Sequence, residues 1–150
     1  MSAFPDTSFL CALYRNQVNS INADAYMHSI TTGLPVSSLV LLEFRQSVRL
    51  QMRLQVHDRN KGFTQEEGWQ MLNDLQMDLN AGLWRPVPID WPAVHQCAEA
   101  LSHAHTLRAG HRFADLLHVA TALQLGATEF LTFDANQRHL AEAEGLIVPL

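Results

Sequence analysis

Four carboxylates fall where an α/β chain gathers its reactive groups: Asp6, Glu43, Asp115 and Asp134. Asp6 directly follows the short apolar run Ala3–Pro5, and Asp134 directly follows Glu129–Phe133. If those runs are neighbouring parallel strands, their ends lie only ~5 Å apart and both carboxylates face one crevice. Glu43 sits in the second turn of the helical stretch that follows Leu34–Ser37, and Asp115 sits in the first turn of a helix beginning near Arg112. All four can reach the same rim. Their mutual repulsion would amount to several kcal/mol at low dielectric unless a divalent cation neutralised it. Oxygen-only ligation is what Mg2+ or Mn2+ prefers. Ions held this way lower the pKa of a bound water and polarise a phosphodiester, two of them roughly 4 Å apart serving both the attacking and the leaving oxygen. Each position also has an ordinary reading. Asp6 and Asp134 can simply cap the helices that follow them. Asp115 can pair with Arg112 one turn earlier, and Glu43 can be a solvated edge residue.

The elements that must position these groups are punctuated by glycine. Gly33, Gly82, Gly126 and Gly145 each end a helical stretch and precede a short apolar run. The runs Leu34–Ser37, Leu83–Ile89, Glu129–Phe133 and Leu146–Pro149, with Ala3–Pro5, have strand length. Between them lie seven helical patterns: Thr7–Gln17, Ala23–Thr32, Ser38–Val56, Thr64–Ala81, Trp91–Leu107, Arg112–Leu125 and Asn136–Glu144. Thr64 to Glu67 reads as a capping box, and Asp90 precedes Trp91-Pro92 as an N-cap with proline in the first turn. The stretch around Asp115 is apolar nearly all round, as a buried helix is. Strands alternating with helices predict one α/β domain over 1–150, with about five parallel strands covered on both faces.

Composition sets the outer bounds. The chain has 150 residues, 47% hydrophobic and 17% charged, enough for a sizeable core. Fifteen carboxylates against ten basic residues give a net charge of −5, which excludes a generally cationic nucleic-acid coat protein. If four carboxylates form a metal cluster, eleven remain against ten (15 − 4 = 11), so the surplus becomes a local pit. No apolar run approaches the ~20 residues that cross a bilayer, and no leader segment is visible, so the expected setting is the cytoplasm. Cys11 and Cys97 make no disulfide framework and are expected as reduced thiols.

Pro5-Asp6-Thr7-Ser8 resembles the opening motif of PIN-domain nucleases. Leu42-Glu43-Phe44 resembles their second acidic position, the stretch from Arg112 to Ala122 their third, and Phe130 to Asp134 their fourth. Compact members of that family are mostly VapC-like toxins of toxin–antitoxin pairs, Mg2+-dependent endoribonucleases. The resemblance implies a three-layer α/β/α sandwich with strand order 3-2-1-4-5. It assigns metal ligation to Asp6, Glu43, Asp115 and Asp134, with Mg2+ as cofactor and Mn2+ as a substitute. Supporting roles fall to the hydroxyls of Thr7 or Ser8 and Thr132, and to Asn136. It further implies an RNA substrate, a cognate antitoxin and a homodimer. A nuclease of DNA or of RNA processing, or a catalytically silent binding module, is the alternative to a toxin. Pro5 departs from a regular central strand, because it removes a ladder donor.

Other features are weighed beside this set. Arg45, Arg49 and Arg53 recur at i, i+4 spacing just beyond Glu43. Like charges so spaced cost an isolated helix a few tenths of a kcal/mol per pair, so helix stability does not explain them. They are a solvated face, a phosphate-gripping rail or a docking surface for an antitoxin. Arg45, Arg49 and Arg112 are thereby candidate substrate contacts. His95, Cys97, His103, His105 and His111 cluster in sequence but match no zinc-ligand spacing. His118, one turn after Asp115, either borders the cleft or packs in the core. No glycine-rich phosphate loop follows the first strand, which disfavours a dinucleotide enzyme.

Overall fold

The computed structural model describes residues 3–150. Four three-residue strands alternate with helices: β1 (Ala3–Pro5), α1 (Thr7–Tyr14), α2 (Ser20–Ser29), β2 (Leu34–Val36), α3 (Ser38–His57), α4 (Gln65–Asn80) and β3 (Trp84–Pro86), then α5 (Trp91–Leu101), α6 (Leu107–Ala109), α7 (Phe113–Gln124), β4 (Glu129–Leu131) and α8 (Ala135–Ala143). A π-helical segment, Ser102–Thr106, joins α5 to α6, so the rod expected over Trp91–Leu107 continues through a local widening. Among the described residues seven helical rods result, as the sequence predicts.

All strand pairing is parallel. β1 pairs with β4, Ala3 opposite Glu129 and Pro5 opposite Leu131. β2 pairs with β3, Leu34 opposite Trp84 and Val36 opposite Pro86. β1 and β2 lie side by side, and an isolated parallel bridge sets Ile147 beside Glu129. The lateral order is therefore β3-β2-β1-β4 with Ile147 outermost, the expected 3-2-1-4-5. The fifth run, Leu146–Pro149, contributes only that bridge.

The seam between β1 and β2 carries no ladder among the described residues, and prolines explain why. Leu34 N–H donates to Leu83 and Val87 N–H donates to Val36, so Leu34 and Val36 turn toward β3 and Pro35 turns toward β1. Asp6 N–H donates to Leu131 at 3.0 Å, which leaves the neighbouring Pro5 facing β2. Both strands thus present a residue without N–H to the seam.

What the short strands lack, side-chain packing supplies. Phe4, Phe9, Phe44, Trp84 and Phe130 are fully buried. The Phe9 ring meets Tyr26 and Trp84 edge-on and stacks on Phe133. α7 is buried from Asp115 to Ala122, the interior helix its composition predicts. Gly82, Gly126 and Gly145 hold positive φ after helices, whereas Gly33 does not. Gly33 is needed for space: a Cβ there would lie 2.0 Å from the Gly82 carbonyl oxygen.

Candidate active site

Asp6 is the last residue before α1 and is completely buried. It caps α1, its Oδ1 accepting from Phe9 N–H at 3.0 Å and from Ser8 Oγ at 2.7 Å. Its Oδ2 accepts from Thr132 Oγ1 at 2.7 Å. Burial pushes its pKa above the ordinary carboxylate value, against the lowering effect of these hydrogen bonds. Ser8 and Thr132 also tie the ends of β1 and β4 together. Phe133 N–H donates to Ser8 Oγ at 2.8 Å, and Asp134 N–H donates to Thr132 Oγ1 at 3.0 Å.

Asp134 caps α8, its Oδ1 accepting from Asn136 N–H at 2.9 Å and Gln137 N–H at 3.0 Å. The capping role expected of Asp134 is present: it fixes one oxygen and leaves Oδ2 to Arg112 Nη2, 3.3 Å away. Asn136 enters the site through this backbone group. Glu43 rises from the second turn of α3, where its Oε2 accepts from Thr7 Oγ1 at 2.9 Å and lies 2.5 Å from His118 Nε2. The hydrogen bond from His118 holds the Glu43 carboxyl below its usual pKa, against the opposing effect of burial. Asp115, 2% exposed, caps α7 in reverse, its Oδ2 accepting from Arg112 N–H at 3.2 Å.

These four segments meet at a cleft of about 250 Å³ at the carboxyl ends of β1 and β4. Glu43, Asp115 and Asp134 line it with Thr7, Ser8, Cys11, Arg112, Ala114 and Gln137, while Asp6 lies beneath. Arg112 is the cation of the cleft, its Nε 3.4 Å from Asp115 Oδ2 and its Nη2 3.3 Å from Asp134 Oδ2. Arg45 and Arg49 do not line it; Arg49 and Arg53 border a different cleft, on the outer side of α3. Sequence reasoning left His118 undecided between cleft and core, and it is both, 1% exposed and bonded to Glu43. Gln137 was missed: nothing in the sequence distinguishes it from any exposed helix residue. It is 7% exposed, and its buried Oε1 lacks a hydrogen-bond partner among the described residues.

Among the described residues no three His, Cys, Asp or Glu side chains already stand as a ligand group for an ion. The donors nevertheless suit a hard divalent cation. They are all oxygen, a positive group already stands between Asp115 and Asp134, and Gln137, whose side-chain oxygen has no partner among the described residues, lines the same cleft.

A family model described as the PIN domain matches residues 3–143. The chain belongs to the PIN-domain family. Solved structures share the fold over nearly their full length. VapC20 of Mycobacterium tuberculosis, described as a sarcin–ricin loop cleaving toxin, is 20% identical with a TM-score of 0.68, covering 97% of each chain. A toxin–antitoxin complex from Klebsiella pneumoniae is 15% identical, with a TM-score of 0.66 over 99% of this chain and 98% of that one. FitAcB from Neisseria gonorrhoeae is 19% identical, with a TM-score of 0.62 over 97% and 95%. No match was found among curated proteins. No helix of this PIN domain, among the described residues, is long and apolar enough to cross a membrane.

Proposed function

We propose that this PIN domain is a divalent-metal-dependent endoribonuclease, the toxin of a toxin–antitoxin pair, working in the cytoplasm. The observation that carries the reading is the convergence of Asp6, Glu43, Asp115 and Asp134, from four separate segments, on one cleft whose cation is Arg112. Mg2+ or Mn2+ held by these carboxylates would supply a water activated for attack on an RNA phosphodiester. The chain's own groups prepare that chemistry. Thr7 and His118 fix Glu43 from two sides, so the carboxylate is aimed before substrate arrives. Ser8 and Thr132 donate to both oxygens of Asp6 and oppose the burial that raises its pKa. Arg112, 70% exposed, presents its guanidinium at the cleft where a phosphate would enter. An open crevice suits single-stranded or looped RNA, whose backbone can enter it.

One solved structure of this fold described as a toxin–antitoxin complex supports an antitoxin partner, and one described as a toxin supports the assignment to a toxin. The chain is proposed to act as one domain over 1–150 and as a homodimer. The test has two arms. Expression of the chain alone should arrest growth, co-expression of the adjacent small gene should restore it, and mapped RNA ends should show discrete cuts that require Mg2+ or Mn2+. Growth without arrest and RNA left intact at saturating metal would refute the proposal.

A further inference from the structure

The arginine stripe of α3 belongs to a different surface from the acidic cleft. Each step along an α-helix turns about 100°, so Arg45, two residues past Glu43, points to the far flank, and Arg49 and Arg53 repeat that direction turn by turn. There Arg49 and Arg53 border a cleft of about 350 Å³ between α3 and α4, with Met52, Val56, His57 and Trp69. Trp69 is 56% exposed and Val56 61%. Among the described residues, none of Arg45, Arg49 and Arg53 has a carboxylate ion-pair partner, although the chain as a whole carries −5. Packing does not account for this arrangement. The guanidinium groups repel along the helix, and the indole remains half in water when it could be core.

We propose that the α3–α4 groove is a second RNA contact, in which an unpaired base stacks on Trp69 while Arg49 and Arg53 take the flanking phosphates. The inference rests on the ribonuclease reading above and deepens it by naming where substrate is held away from the cut. Cations repeated once per helical turn track a charge that itself repeats, as a phosphate backbone does. An exposed aromatic face beside such a track is how single strands are held without base-specific hydrogen bonds. The cleft has room for a nucleotide-sized group, and His57 at its end adds a further donor. Because the groove lies further along α3 than Glu43 and on another of its faces, it grips RNA remote from the scissile phosphate. It therefore favours a folded RNA that wraps α3 over a short linear one.

The test measures binding and cleavage in parallel. Fluorescence anisotropy with a labelled stem–loop RNA in EDTA compares wild type, Trp69→Ala and the double variant Arg49→Gln/Arg53→Gln; all three side chains are exposed, so circular dichroism should be unchanged. Trp69→Ala should weaken binding about tenfold. The double variant should reduce the slope of log K against log[salt] by roughly 1.4 to 1.8. In Mg2+, both should raise KM for the stem–loop with kcat nearly intact, and affect a short oligouridylate less. A wild type that cleaves RNA while both variants keep its affinity and salt slope overturns the inference and leaves the proposed function standing. Loss of the antitoxin complex in the double variant, with RNA affinity unchanged, likewise overturns it and assigns the groove to a protein. A wild type that neither binds nor cleaves RNA fails both readings together.

Discussion

Arg112 reaches across the cleft to Asp134, its Nη2 3.3 Å from Oδ2, while its Nε stays 3.4 Å from Asp115. The guanidinium thus occupies the position where positive charge is most stabilised, between two carboxylates that would otherwise repel. A divalent cation binding there competes with it. Arg112→Gln should therefore tighten Mn2+ binding, measured by calorimetry, by about two- to fivefold, the range that follows from exposed ion pairs. Weaker binding in that variant would show instead that Arg112 organises the ligands.

His118 and Thr7 both donate to one oxygen of Glu43. Replacing His118 by Asn removes the group chiefly responsible for the lowered Glu43 pKa, so that pKa should rise. Cleavage that depends on ionised Glu43 then needs a higher pH, and the acid limb of the rate profile should move upward. The same sign holds for stability: a depressed carboxyl contributes above its unfolded pKa and loses that contribution as pH falls through the folded one. An acid limb that does not move in His118→Asn would separate His118 from the chemistry of Glu43.

His111 is 6% exposed, and neither ring nitrogen has a hydrogen-bond partner among the described residues. Burial lowers its pKa, opposed by Asp115 and Asp134 and reinforced by His105 and His139. A depressed histidine is held neutral in the fold but takes a proton readily when unfolded, so stability falls as pH drops below about 6.5. Wild-type melting temperature should fall between pH 7 and 5.5, and His111→Phe should flatten that dependence. An equally steep fall in the variant would assign the acid sensitivity elsewhere.

Tyr14 joins three elements: its hydroxyl donates to Asp78 of α4 and accepts from Trp84 Nε1 of β3 at 2.6 Å. Tyr14→Phe leaves a buried indole N–H without its acceptor and detaches α4 from α1. Urea unfolding should show a loss of about 1–3 kcal/mol, with Mn2+ affinity unchanged because the acidic cleft is untouched.

Much of this arrangement was legible in the sequence because it is local. Helix patterns, the Thr64–Glu67 capping box and the Asp90 cap follow from neighbouring residues, and all are present. Asp6 and Asp134 could be placed because each follows a strand-length run, and Glu43 and Asp115 because each lies in the first two turns of a patterned helix. Relationships spanning the chain were not legible. His118 and Glu43 are 75 residues apart, and only the packing of α7 against the sheet tells which way the imidazole faces. The stripe beginning at Arg45 lies close to Glu43 in sequence yet on another flank of the helix, since adjacency along a helix does not mean a shared face. Gly33 looked like a helix terminator and is instead a point of close approach to Gly82. Such steric need depends on a partner nearly fifty residues away, which no local pattern records.

The central claim is that the carboxylate cluster around Asp6 makes this PIN domain a metal-dependent ribonuclease. The direct measurement is single-turnover cleavage of RNA in Mg2+ or Mn2+ by wild type and Asp6→Asn, with circular dichroism confirming that both fold. Wild type should cut rapidly, EDTA should abolish the cutting, and the variant should not cut. Cleavage by Asp6→Asn at the wild-type rate, still stimulated by metal, would contradict it.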